Sequence, residues 1–138
     1  MTFSLDQFRL DNKVAIVTGA AGRGNSIGRA YALGLAAAGA SVVVADLNQP
    51  GAATVADEIR VAGGNAISVG VDITDPDSVR AMAAIAATAF GGVDILVNNA
   101  GLMAELKSEQ AVDVSLEEWN RIMNVNVTGA LNCVQAVV

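Results

Sequence analysis

The chain has 138 residues, 53% of them hydrophobic and 16% charged, which is apolar enough to offset its ordering entropy and long enough for one domain, so a disordered segment is excluded. Its 8 Lys+Arg against 14 Asp+Glu leave a net charge of −6, and the cations stand singly from Arg9 to Arg121, which argues against a nucleic-acid partner or an anionic membrane. One cysteine and no histidine exclude an internal disulfide, a metal cluster and a histidine general base; Asp6 and Arg9 interrupt the start before any signal-like run, and a reducing cytoplasm is expected.

Residues 13–18 read K-V-A-I-V-T, a β-branched run ending at Gly19, and predict a buried strand that feeds a loop containing Gly22, Gly24 and Gly28. A helix is expected from Ile27 to Gly39, with Ile27, Tyr31, Leu35 and Ala38 at helical spacing. Residues 41–46 repeat the strand pattern. Pro50 then opens a helix with Val55, Ile59 and Ala62 on one face, stopped by Gly63 and Gly64.

The third unit predicts a strand over 66–71, a capping box formed by Thr74 and Asp77, and a helical stripe of Val79, Met82, Ala83, Ala86 and Phe90. A fourth strand over 93–97 runs into Asn98, Asn99, Ala100 and Gly101. Ser115 with Glu118 caps a final helix whose expected buried row is Trp119, Ile122, Met123, Asn126, Ala130, Val134 and Val137.

Alternating strands and helices at crossover spacing imply an α/β fold, a doubly wound, Rossmann-like parallel sheet with helices on both faces. The commonest form has six strands in the order 3-2-1-4-5-6. Here four are expected before the chain stops inside an apolar helix. Residues 1–138 therefore read as the N-terminal part of one longer domain, truncated after about four strands.

The loop between the first strand and first helix lies where such folds bind pyrophosphate: glycines allow close backbone approach, and free N–H groups at the helix start face the charge. The same glycines could serve a connection with no ligand. Asp46 follows Gly28 by 18 residues at the end of the second strand. There a carboxylate accepts both ribose hydroxyls and repels a 2′-phosphate, unless it is merely a solvated strand end. Asp72 either reaches the adenine amino group or caps the next helix. Two amides and two minimal residues at 98–101 let the chain pass beside a ligand. Asn126 falls on the apolar row, where an unpaired amide is costly, so either a functional partner or a neighbouring carbonyl must satisfy it.

These residues together resemble the short-chain dehydrogenase/reductase family across nearly the whole chain. Residues 13–19 are similar to its opening strand, Asp46 to its NAD-selecting acid and Asp72 to its adenine-side acid. Asn98 to Gly101 match its Asn-Asn-Ala-Gly motif, and Asn126-Val127-Thr128-Gly129 the helix with its catalytic Asn. The resemblance implies hydride transfer between NAD(P) and an alcohol or ketone, with NAD favoured over NADP. A Tyr acts as acid and base, a Lys lowers its pKa, a Ser positions the carbonyl, and the Asn holds a water in the proton relay.

It further implies cofactor contacts at Gly19, Arg23, Gly24, Ser26, Ile27, Gly28, Asp46, Asp72, Ile73, Asn98, Ala100 and Gly101, with Asn126 catalytic and no metal. A small-molecule substrate is expected, and a homo-oligomer joined through the last helix. Two departures stand out. The glycine loop is longer than the family's by three residues, with Ser26-Ile27-Gly28 in place of Gly-Ile-Gly. That serine is similar to the enoyl reductase branch, and Gly19 with Gly22 to the epimerases. The only tyrosine is Tyr31 and residue 35 is Leu, so no Tyr-x-x-x-Lys pair is present. The alternative reading is a nucleotide-binding module without catalysis.

Overall fold

The computed structural model describes residues 4–22, 26–102 and 110–138. Four parallel strands form one sheet in the order β3-β2-β1-β4: β1 is Val14–Thr18, β2 Ser41–Asp46, β3 Asn65–Gly70 and β4 Ile95–Val97. The register pairs Val14 with Ser41, Ser41 with Asn65 and Ala15 with Ile95, so the C-terminal ends of the strands lie along one edge. Every residue of β1 is buried, as expected for a strand flanked on both sides and covered on both faces.

Side-chain alternation divides the core in two. Ala15, Val17, Val42 and Val44 face α1 (Ile27–Ala37) and α2 (Gln49–Val61), packing with Ala32, Ala52, Val55 and Ile59. Ile16, Val43 and Ala45 face the opposite way, onto α3 (Pro76–Phe90) and a C-terminal helical segment, meeting Val79, Met82, Ala86 and Cys133. The chain crosses from one face to the other between β1 and β4. That is the switch point where such sheets open a crevice.

Several boundaries differ from the sequence reading, each for a local reason. β3 begins and ends one residue earlier than predicted, although Val71 still donates its N–H to the Asp46 carbonyl at 3.0 Å. β4 starts at Ile95 because Asp94 does the pairing ahead of it: its Oδ2 accepts the Val14 N–H at 2.9 Å, and its own N–H donates to the Val14 carbonyl at 2.9 Å. The expected Thr74–Asp77 capping box is replaced by Asp75, whose side chain accepts the Asp77 N–H at 2.9 Å with Pro76 opening the helix. Thr74 instead bonds back to Asp72. In α1 the buried positions are Gly28 and Ala32, while Ile27 and Tyr31 are exposed; Ala62, which follows α2, is exposed.

The predicted final helix is three pieces: α4 (Leu116–Met123), a π-helical stretch (Asn124–Gly129) and α5 (Ala130–Val137). Ser115 caps it, accepting the Glu118 N–H at 3.1 Å. The expected buried row is only partly the one used: Val137 packs against the core as expected, whereas most of the row does not. Trp119 is 53% exposed, and Met123, Asn126 and Val134 also face outward. The inward row, Val125, Gly129, Cys133, Ala136 and Val137, is offset by about one residue. Both rows are apolar, so periodicity alone could not choose between them; the small Gly129 and Cys133 permit the closer approach to the sheet.

Candidate functional site

The C-terminal ends of the strands enclose a crevice of about 750 Å³, bounded by the β1–α1 loop, the ends of β2 and β3, and residues 99–102 after β4. Its volume lies in the range of small-molecule and cofactor sites. Thr18, only 1% exposed, organises the floor. Its Oγ1 accepts the N–H groups of Asn99 (3.2 Å) and Ala100 (3.1 Å) and donates to the Val97 carbonyl at 3.3 Å. In return Asn99 Nδ2 donates to the carbonyls of Thr18 and Gly19, both at 3.0 Å. Two loops that share no local sequence are locked into one surface.

Two glycines at this junction have no substitute. Gly19 has φ +65°, and a Cβ on it would stand 2.7 Å from Ala100 Cα; a Cβ on Gly28 would stand 2.3 Å from the Gly19 carbonyl oxygen. Ser26 caps α1, accepting the Arg29 N–H at 3.3 Å, and the helix start, with Ser26, Ile27 and Gly28, lines the crevice.

At the end of β2 the Asp46 carboxylate is held from both sides. Oδ2 accepts the Ala21 N–H at 2.9 Å and Oδ1 the Asn48 N–H at 2.8 Å. Each oxygen keeps acceptor capacity for a further donor, since a carboxylate offers about four lone-pair sites. At the end of β3, Asp72 Oδ1 accepts from Thr74 Oγ1 at 2.6 Å and from the Thr74 N–H at 2.9 Å. Both bonds favour the ionised form and hold this carboxyl below the usual range, the hydroxyl contributing most.

Asn126 does not enter the core. It faces out of the helix and clamps one residue of the crevice wall: Oδ1 accepts the Leu102 N–H at 2.7 Å and Nδ2 donates to the Leu102 carbonyl at 3.0 Å. The partner that its amide finds is thus the backbone N–H and carbonyl of a single residue following residues 98–101. Asn98 turns away from the crevice, and its Nδ2 donates to the Ala130 carbonyl at 3.3 Å.

Of the residues singled out in the sequence, Gly19, Ser26, Ile27, Gly28, Asp46, Asp72, Ile73, Ala100 and Gly101 line one continuous crevice. Asn98 and Asn126 stand behind it, and Arg23 and Gly24 lie outside the described residues. Sequence reasoning missed Thr18 as a hub and left Leu47, Asn48, Thr74, Asn99 and Leu102 out of the lining. Asn99 sat inside the recognised motif. Thr18 looked like one more β-branched strand residue.

A dinucleotide suits this donor set. The glycine junction admits a backbone-hugging pyrophosphate, the helix start supplies N–H donors and positive dipole, and Asp46 offers an anionic acceptor two strands from the far wall. The family pattern described as short chain dehydrogenase matches residues 13–138. An uncharacterized oxidoreductase of Mycobacterium tuberculosis is 52% identical over 127 residues, 92% of this chain and 50% of that protein. The 7α-hydroxysteroid dehydrogenase of Escherichia coli is 41% identical over 135 residues, 98% of this chain and 50% of that enzyme. A solved structure described as 7α-hydroxysteroid dehydrogenase complexed with NADH and 7-oxo glycochenodeoxycholic acid matches with a TM-score of 0.87 at 40% identity, covering 99% of this chain and 51% of that one. The chain spans about half the length of the curated relatives it matches. On its strand order, its crevice and the match over residues 13–138, the chain belongs to the short-chain dehydrogenase family.

Proposed function

We propose that this chain is the N-terminal, cofactor-binding part of an NAD-dependent oxidoreductase that moves a hydride between NAD and a secondary alcohol or ketone. The observation that carries the cofactor choice is the Asp46 carboxylate, aimed by two backbone N–H groups at the edge of the crevice. NAD, when bound, supplies the hydride chemistry. The chain's own residues hold and exclude: Gly19 and Gly28 admit the pyrophosphate, Asp46 accepts from the ribose hydroxyls, and Asp72 and Ile73 border the adenine. Asn126 keeps the Leu102 peptide fixed, and on the family's chemistry it steadies the water of the proton relay.

The relative solved with NADH and a 7-oxo bile acid supports both the cofactor and the ketone class. The cyclohexanol dehydrogenase of Acinetobacter, 39% identical over 119 residues, supports a secondary alcohol. The outward apolar stripe Leu116, Trp119, Met123, Val127 and Leu131 supports a homo-oligomer joined through the last helices. We place the enzyme in the cytoplasm, and no helix among the described residues is long and apolar enough to cross a membrane. The test is NAD-linked oxidation of a panel of cyclic and steroidal secondary alcohols by the full-length protein. Turnover with NAD supports the proposal; NADH binding without turnover on any member would favour a sensing module.

A further inference from the structure

The connection from β3 to α3, residues 71–75, forms the outer wall of the crevice beside Asp46 and supplies Val71, Asp72, Ile73 and Thr74 to its lining. Its internal bonds shape a turn. Thr74 bonds to Asp72, Asp75 N–H donates to the Asp72 carbonyl at 3.1 Å, and Asp72 N–H donates to Ser78 Oγ at 3.0 Å. The Thr74 and Asp75 bonds lie within the turn, and the Ser78 bond ties only its start to the first turns of α3. Val71 ties that end to the sheet, through the Asp46 carbonyl.

At the centre of the turn the hold comes from α5, remote in sequence. Asn132 Nδ2 donates to the Ile73 carbonyl at 2.9 Å across 59 residues. Gly129, three positions earlier at the end of the π-helical stretch, brings the backbone against Ile73: a Cβ there would stand 2.7 Å from Ile73 Cγ1 and Cδ1. The Ile73 side chain is buried, so its carbonyl cannot shift without disturbing the core. Asn132 itself does not line the crevice.

We infer that Asn132 is a positioning residue for the adenosine half of the cofactor, fixing the Asp72–Thr74 wall at the distance from Asp46 that an adenosine needs. The inference rests on the dinucleotide reading given above. It is tested in the full-length protein with Asn132→Leu, which keeps the volume, and Asn132→Asp, which keeps the shape but cannot donate when ionised. Binding of NADH and ADP-ribose is measured by calorimetry, NAD-linked turnover by steady-state kinetics, and the 71–75 backbone by hydrogen exchange.

Both variants should exchange faster at 71–75, bind ADP-ribose about three- to tenfold more weakly, and raise KM for NAD by a similar factor with kcat within about twofold of wild type, as expected for one lost hydrogen bond acting through the wall. Unchanged exchange overturns the inference, and so does faster exchange with unchanged ADP-ribose affinity or a fall confined to kcat. Variants insensitive to the change in a protein that binds NADH refute this role alone. A wild-type protein that binds neither NADH nor ADP-ribose refutes the cofactor reading and this role with it.

Discussion

Replacing Asp46 with Ala separates two jobs that one carboxylate performs. Its Oδ2 satisfies the N–H of the buried Ala21, and its Oδ1 that of the exposed Asn48. Water can replace the second bond but not readily the first, so the stranded Ala21 donor costs about 1 to 3 kcal/mol. That cost falls on the stability of the folded protein whether or not cofactor is bound, so it drops out of the ratio of NAD to NADP. What remains is electrostatic. Loss of a charged acceptor for the ribose diol weakens NAD by about 1.5 to 3 kcal/mol. A unit charge pair about 4 Å apart at an effective dielectric of ~20 is worth about 4 kcal/mol, so removing the carboxylate relieves NADP by up to that amount before screening. Allowing for screening at a crevice edge, the NAD-to-NADP ratio of kcat/KM should fall by about a hundredfold or more. Asp46→Asn, which retains one acceptor, should show a smaller loss of NAD affinity. A ratio unmoved by Asp46→Ala, or a wild-type protein that prefers NADP, would refute the reasoning.

Thr18→Val should destabilise the protein by about 1 to 3 kcal/mol in urea unfolding, because two part-buried N–H groups lose their acceptor; a change under ~0.5 kcal/mol would mean that water reaches the floor. Asp94 has its carboxyl held below the usual range, first by the Val14 N–H and then by Lys13. A depressed native pKa stabilises above the unfolded value of about 3.9 and is lost as pH falls through the native one, so the stability gap between wild type and Asp94→Asn should be full at neutral pH and close below about pH 4. The same gap at pH 2.5 as at pH 7 would contradict this. The isolated 138-residue chain should oxidise no secondary alcohol, since its only tyrosine, Tyr31, has Leu35 four positions on. NADH production above background with any such alcohol would disprove that expectation.

The strand order and the edge carrying the site were readable because each βα unit declares itself locally: a β-branched run, a glycine or acid at its end, then an apolar helical stripe. Asp46 and Gly28 are legible as crevice residues because their position follows from their place in the βα unit. The hidden features depend on partners distant in sequence. Thr18 meets Asn99 across 81 residues and Asn132 meets Ile73 across 59, with nothing local to mark either side chain. The final helix misled for a different reason. It is apolar on two faces, and which one the sheet receives is decided by the small Gly129 and Cys133, not by the larger Trp119 and Met123. Asn126 was expected on the buried row, but it is exposed, so burial does not compel its amide to find a partner; its bonds to Leu102 depend on a loop distant in sequence.

Titration of NADH into the full-length protein, wild type and Gly28→Val, tests most directly whether the strand-end crevice is a dinucleotide site. A Cβ at Gly28 would collide with the Gly19 carbonyl oxygen at 2.3 Å and Asn99 Nδ2 at 2.5 Å, closing the junction proposed to admit the pyrophosphate. Wild type should bind one NADH per chain, with ADP-ribose displacing it, and the variant should bind none while keeping its helical circular dichroism. NADH binding that is absent in the wild type, or undiminished in a folded Gly28→Val protein, would contradict the assignment.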